Sequence, residues 1–272
     1  MNEAREQARE TWAQALEEEL SFWRSTMAAP PQDFLDRLDP MRPFRDPEAV
    51  QHLARNGRLR VLDVGSGPLT VFGYTALGCR IDLYPTDPLA HEYVRLLREA
   101  GHEAPVLPMK VEAERLPEVF PEQFFDCAYA LNALDHCHDP VLALERMLSV
   151  TRVGGIVTLV HLEYVGRLEN YAGLHQWDFF IEDEKAFLAN RDRSRVHDLG
   201  AQFAPGAELI VCEHGAVEET DHGKGRSCRL RFRRLQAEAR RPHDCGGTRP
   251  ASQPRPSDSQ KPEESYFTES GE

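Results

Sequence analysis

The segment Val61-Leu62-Asp63-Val64-Gly65-Ser66-Gly67-Pro68 constrains this chain more than any other. Residues 59–64 are a short apolar run stopped by a Gly-Ser-Gly turn, as expected of a strand buried on both faces of a parallel sheet. Such a strand carries the Asp63 carboxylate to its carboxyl end. Gly65 and Gly67 then let the backbone approach a ligand closely or take positive φ, which a side chain would hinder.

The rest of the chain repeats this rhythm. Residues 79–84 read as a strand, 90–100 as a helix and 124–130 as a strand. A helix at 140–150, with Leu142, Leu144, Met147 and Leu148 inward, precedes a turn at Gly154-Gly155 and a β-branched strand at 156–162. Alternating strand and helix predicts a parallel sheet with helices on both faces. Residues 208–213 and 228–232 are strands with no helix between them, only a loop holding Asp221-His222-Gly223-Lys224-Gly225. They predict a closing antiparallel hairpin.

Ahead of this lies a helical cap, residues 1–57. Trp12, Leu16, Leu20, Trp23 and Met27 recur at helical spacing over 3–28, Pro30-Pro31 ends the pattern, and a short amphipathic piece follows at 33–38. Either it packs on the core or it forms a lid over a cleft. Residues 58–236 form the main domain. Residues 237–272 hold too little apolar surface to offset their ordering entropy and are expected to be disordered.

Composition narrows the function. With 45 acidic against 32 basic residues the net charge is −13, which gives no global basic footprint for nucleic acid. No apolar run is long enough to cross a bilayer, and the first residues are charged where a signal peptide needs an apolar stretch, so a cytoplasmic protein is expected. Cys79, Cys127, Cys137, Cys212, Cys228 and Cys245 form no CxxC pair and read as reduced thiols.

The glycine turn suits either a dinucleotide or a nucleoside bearing an amino acid. A dinucleotide turn wants G-x-G-x-x-G, and Thr70 stands at the third glycine's place. Asp63, two residues before the first glycine, suits a cationic amino-acid moiety better than a pyrophosphate. Asp87, in Tyr84-Pro85-Thr86-Asp87-Pro88 after the second strand, can hold both hydroxyls of a ribose or simply cap a helix. Glu112-Ala113-Glu114-Arg115-Leu116-Pro117 reads as a loop that either contacts an adenine edge or is a solvated charge run.

In their order, Val61 to Pro68, Asp87-Pro88, Glu112 to Pro117, Phe125-Asp126 and Arg152-Val153-Gly154-Gly155 resemble the successive motifs of class I S-adenosylmethionine-dependent methyltransferases over about residues 58–235. Asn132-Ala133-Leu134-Asp135-His136, Glu169-Asn170-Tyr171 and Gly173-Leu174-His175-Gln176-Trp177 resemble a bacterial subgroup found in part near surface-glycan biosynthesis. The resemblance implies an α/β fold, a Rossmann-like, doubly wound and mostly parallel seven-stranded sheet ending in an antiparallel hairpin. It implies S-adenosylmethionine as cofactor. Gly65, Ser66 and Gly67 would pass beneath its methionine part, Asp63 would orient the amino group, and Asp87 would hold the ribose. Glu112 and Ala113 would contact the adenine, and Asn132 would line the pocket. The implied acceptor is a small molecule or glycan intermediate, methylated at oxygen. The rivals are an NAD(P)-dependent oxidoreductase and a non-catalytic S-adenosylmethionine-binding protein.

A hydroxyl acceptor needs a proton acceptor, and histidine serves near neutral pH. His136, after the fourth strand, and His175, beside Trp177, are the candidates; His161, on an apolar strand, reads as a core residue. Asp135-His136-Cys137-His138-Asp139 contains only ligand-type residues. Adjacent ligands on one tight segment rarely reach one ion together and no second cluster has ligand spacing, so no metal is expected. Trp177, Phe179 and Phe180 are either an aromatic wall for an acceptor or core.

Overall fold

The centre of the main sheet is set by strands whose residues are dry on both sides. In the computed structural model, which describes residues 2–220 and 223–236, three helices come first: α1 (Asn2–Ala28), α2 (Gln32–Asp36) and α3 (Pro47–Leu53). Then follow β1 (Arg58–Val64), β2 (Thr75–Ala76), β3 (Cys79–Asp87), α4 (Ala90–Glu99), β4 (Met109–Lys110), β5 (Phe125–Leu131), α5 (Pro140–Val150) and β6 (Thr151–Leu162). The last third holds α6 (Val165–Leu168), β7 (Trp177–Glu182), β8 (Lys185–Asn190), β9 (Val196–Asp198), α7 (Leu199–Phe203), β10 (Ala207–Thr220) and β11 (Gly223–Arg234). Residues 221–222 and 237–272, where the loop tip and the disordered tail were expected, lie outside the described residues.

The main sheet runs β10-β11-β6-β5-β1-β3-β2, with β4 added beside β3, so it has eight strands rather than seven. β1 pairs in parallel with β3 on one side and β5 on the other, β5 pairs in parallel with β6, and β11 and β10 close that end antiparallel. This is a mostly parallel, Rossmann-like sheet. The chain moves outward from β1 to β3 and returns to the other side of β1 as β5. That reversal makes a switch point at the carboxyl ends of β1 and β5, where open α/β sheets place their ligands.

Alternation along the strands divides the core. Leu62 and Val64 of β1 join Ala128 and Ala130 of β5 on one face, with Leu144 and Met147 of α5. Leu59 and Val61 join Cys127 and Tyr129 on the other, with Phe44 and Leu53 from the amino-terminal segment. α1 lays Leu20 and Met27 against Tyr93, Leu96 and Leu97 of α4.

Several expectations need correction. α3 was not foreseen; Asp46 caps it by accepting from the Ala49 N–H at 2.9 Å, and Pro47 follows at its first position. Residues 113–118 wind into a 3-10 helix instead of a loop. Gly154-Gly155 is no turn: it lies inside the continuous β6, where Gly154 has φ +73° and the register against β5 shifts. The closing hairpin is far longer than its apolar centre, so Gly223, Lys224 and Gly225 belong to β11 rather than a loop.

The largest omission is a second, three-stranded antiparallel sheet, β7-β8-β9. Asp183 and Glu184, at φ +48° and +61°, make the two-residue turn between β7 and β8. It places Trp177, Phe179 and Phe180 in the core, which decides between the two readings of these rings. Trp177 Nε1 donates to the Cys137 carbonyl at 3.1 Å, Phe179 stacks on His161 and Phe180 on Tyr164.

Candidate active site

The turn after β1 is pinned to the end of β3. Gly65 and Gly67 have φ +66° and +62°, and the Gly65 and Ser66 N–H groups donate to the Thr86 carbonyl at 2.8 and 3.1 Å. A Cβ on Gly65 would run into Ala133. Asp87 is the last residue of β3, not beyond it. Its Oδ2 accepts from the Gly67 N–H at 3.1 Å and its Oδ1 from the Leu89 N–H at 2.9 Å, so one carboxylate ties the turn to the start of α4.

Beside this turn opens a cavity of about 520 Å³, a volume ordinary for a small-molecule site. Asp63, Gly65, Ser66, Gly67 and Asp87 line one part of it, Glu112 and Ala113 another, and Asn132, His136 and His175 a third. All the expected site residues therefore face one space. α1 supplies the opposite wall through Trp12, Leu16, Glu19, Phe22 and Trp23, and Arg37 reaches it as well. The aromatic wall is thus on the amino-terminal helix, which sequence reasoning left open between packing and lid.

Burial tunes the two acids. Asp63 is pushed up to about 6 by desolvation, which the Thr70 hydroxyl and the Arg37 charge only partly offset. Its Oδ2 is buried without a hydrogen-bond partner among the described residues. Desolvation lifts Asp87 to about 7 against the pull of its two backbone donors. An orphaned buried carboxylate oxygen wants a donor, and an ammonium group supplies one with charge. That donor set fits an α-amino group beside a glycine turn.

Asn132 faces the cavity but its side chain is spent locally. At φ +45°, its Oδ1 accepts from the Leu162 N–H at 2.9 Å and its own N–H donates to the Val160 carbonyl at 2.8 Å. It braces the ends of β5 and β6. Asp126, at the foot of β5, accepts from Arg152 Nε at 2.7 Å and from the Arg60 N–H at 2.9 Å, far from the cavity. Glu114, not singled out from sequence, is buried; it accepts from the Asp139 N–H at 3.1 Å and pairs with His138 at 2.9 Å.

The two candidate histidines meet across 39 residues. His136 Nε2 stands 3.1 Å from His175 Nδ1, and His175 Nδ1 stands 2.9 Å from Asp135 Oδ2. Asp135 is almost fully buried, and its Oδ1 lies 3.3 Å from Nδ1 of the fully buried His161, without the angle of a hydrogen bond. Desolvation alone would raise Asp135, but the three imidazoles around it hold its carboxyl well below the usual carboxylate range. Burial likewise opposes charge on His175, yet the hydrogen bond and charge of Asp135 outweigh it and raise its pKa. Asp135, His136 and His175 also bring ligand-type atoms within 4.8 Å of one another. His175, a single residue from outside the Asp135–Asp139 run, joins it in space. No spacing rule could have shown this.

Residues 62–159 match the family model described as a methyltransferase domain. A search of curated proteins finds no match. Among solved structures, the chain is similar to an S-adenosylmethionine-dependent methyltransferase of Thermotoga maritima, with 18% identity, TM-score 0.43 and coverage of 80% of this chain and 94% of that one. It is also similar to the 1,6-didemethyltoxoflavin N1-methyltransferase of Burkholderia thailandensis, solved with S-adenosylhomocysteine, with 19% identity, TM-score 0.41 and coverage of 81% and 90%. A third is a methyltransferase of Methanosarcina mazei, with 15% identity, TM-score 0.41 and coverage of 68% and 96%. Residues 62–159, the stretch that the family model matches, hold the glycine turn, Asp87, the Glu112 segment, Asp135 and His136 on the mostly parallel, Rossmann-like sheet.

Proposed function

We propose that this protein is an S-adenosylmethionine-dependent methyltransferase acting on a hydroxyl of a small molecule or glycan intermediate. The observation that carries the reading is the orphaned Asp63 Oδ2, set beside the glycine turn and Asp87 in a cavity that also holds a His-Asp cluster. S-Adenosylmethionine, when bound, supplies an electrophilic methyl group on a sulfonium.

The residues of the chain do the rest. Asp63 receives the ammonium of the methionine part, and the Gly65-Ser66-Gly67 backbone runs beneath it. Asp87 takes the ribose hydroxyls with the lone pairs its two backbone donors leave over. Glu112 and Ala113 border the adenine. Trp12, Phe22 and Trp23 of α1 cover the cavity and exclude water from the acceptor. With its Nδ1–H donated to Asp135 Oδ2, His175 keeps a lone pair on Nε2, which takes the acceptor's proton; His136 is its neighbour in this task. Asp135 stabilises the imidazolium that forms. No helix among the described residues is long and apolar enough to cross a membrane.

Calorimetric titration of the purified chain with S-adenosylmethionine and with S-adenosylhomocysteine tests the reading. Micromolar binding that Asp63→Asn abolishes is the expected result. Binding of NADH in place of both ligands would overturn it in favour of the oxidoreductase.

A further inference from the structure

The Asp135-His136-His175 cluster is more crowded than hydrogen bonding explains. Three electron-rich atoms, Asp135 Oδ2, His136 Nε2 and His175 Nδ1, form a triangle with sides of 2.9, 3.1 and 3.4 Å. Each imidazole nitrogen carries at most one proton. If His175 Nδ1–H donates to the carboxylate, it cannot also accept from His136. If it accepts from His136, its contact with the carboxylate has no proton in it. Unless one proton is shared between two acceptors, one of the short sides is left without a hydrogen bond.

A single ion answers all three sides at once. An ion about 2.1 Å from each N or O donor sets the donors about 3.0 Å apart in an octahedral site and about 3.4 Å apart in a tetrahedral one. The observed sides span that range. The geometry points to a divalent first-row transition-metal site built from Asp135 Oδ2, His136 Nε2 and His175 Nδ1, with its remaining positions open to the cavity.

The setting is that of a built site. Asp135 is 1% exposed, while the side chains of His136 and His175 are 22% and 32% exposed, so the ion would reach the anchored carboxylate from the cavity side. Behind the ligands, His161 is fully buried, stacked on Phe179 at 4.0 Å and 5°, with its Nδ1 3.3 Å from the other oxygen of Asp135. That contact sets an imidazole behind the carboxylate, where outer partners of metal ligands sit. Two imidazoles and one carboxylate favour Zn²⁺, Mn²⁺, Co²⁺ or Fe²⁺ over the all-oxygen preferences of Mg²⁺ and Ca²⁺.

The binding stands without the proposed function, but its role rests on it. Loading the ion requires the lone pair of His175 Nδ1, hence the Nε2–H tautomer, and takes His175 out of the proton-acceptor role. The ion then lowers the pKa of an acceptor hydroxyl that reaches its open positions, and the released proton passes to water.

Co²⁺ titrated into the chelator-treated full-length protein, in the absence of any nucleoside, is the test. Expected are one equivalent bound and visible ligand-field bands with no thiolate charge-transfer band. Cys137→Ser should leave both unchanged, and His136→Ala or His175→Ala should weaken binding at least tenfold. No binding below millimolar Co²⁺, or a thiolate band from the wild-type protein, overturns the site even if the variants fold poorly. Unweakened binding in folded His175→Ala also overturns it. A separate titration with S-adenosylhomocysteine keeps the two readings apart: nucleoside binding without Co²⁺ binding sinks the metal site alone, and the reverse sinks the proposed function alone.

Discussion

The indole of Trp23 occupies the space where a Cβ on Gly67 would go: that atom would lie 2.9 Å from Trp23 Cζ2. Trp23 is held there by a hydrogen bond from its Nε1 to Glu19 Oε1 at 2.8 Å and by an edge contact with Tyr93. The glycine turn and the amino-terminal helix are thus fitted to each other. In Gly67→Ala, the left-handed backbone costs about 1–2 kcal/mol and the indole must leave. A lower melting temperature, a shift in tryptophan emission and weakened S-adenosylhomocysteine binding are expected together. An unchanged emission spectrum would mean that Trp23 is not seated on the turn.

Asp63 contributes to the pH dependence of the free protein. Its carboxyl titrates near 6 in the fold against 3.8 as a free side chain, so the folded state binds the extra proton. Its contribution to stability is full below about pH 4 and is lost as pH rises through about 6. Asp63→Asn removes that loss, which amounts to about 3 kcal/mol at pH 8. Melting curves from pH 4 to 8 should therefore be flatter for the variant and higher at pH 8, although it binds no cofactor. A variant less stable than wild type at pH 8 would contradict the buried, orphaned placement.

Asp87 serves fold and ligand with the same atoms. Asp87→Ala strands the buried Gly67 and Leu89 N–H groups, at about 1–3 kcal/mol each, and removes the ribose contact. Asp87→Asn keeps one acceptor oxygen. At pH 5, below the Asp87 titration near 7, the expected order of melting temperature is wild type, Asn, Ala. Loss of the charge-assisted ribose contact should weaken S-adenosylhomocysteine binding by about 10- to 150-fold in either variant, read by calorimetry.

Arg231 is expected to matter far from the site. Its Nη2 lies 2.9 Å from Asp46 Oδ2, which also accepts from the Tyr129 hydroxyl at 2.9 Å, and both charged side chains are 13% exposed. Arg231→Met leaves Asp46 charged and largely buried, at a cost of about 3–5 kcal/mol. Urea denaturation measures it, and Asp46→Asn in the same chain should recover part of the loss.

How much of this was legible depended on range. β1 and its turn were readable because a strand dry on both faces is a continuous apolar run, and because Gly65 and Gly67 mark a backbone only glycine adopts freely. α5 and α3 open with the same Asp-Pro signal, Asp139-Pro140 and Asp46-Pro47, yet only the longer helix shows enough apolar periodicity to be noticed. β7 and β8 hid because their inward rings, Phe179 and Phe180, are consecutive, so the strand shows no alternation; the turn at Asp183-Glu184 was the missed clue. The meeting of His136 with His175, and the seating of Trp23 on Gly67, are tertiary facts that no local pattern encodes.

The wall that α1 contributes has a consequence for the order of assembly. Trp12 and Trp23 are synthesised before the sheet and helix residues they lean on: Gly67, Tyr93 and His138 all leave the ribosome later. The helix that roofs the cavity must wait, unseated, until the sheet beneath it exists. The part of the chain made earliest therefore docks only after residues made much later, and a nascent molecule has a floor for its ligand before it has a ceiling.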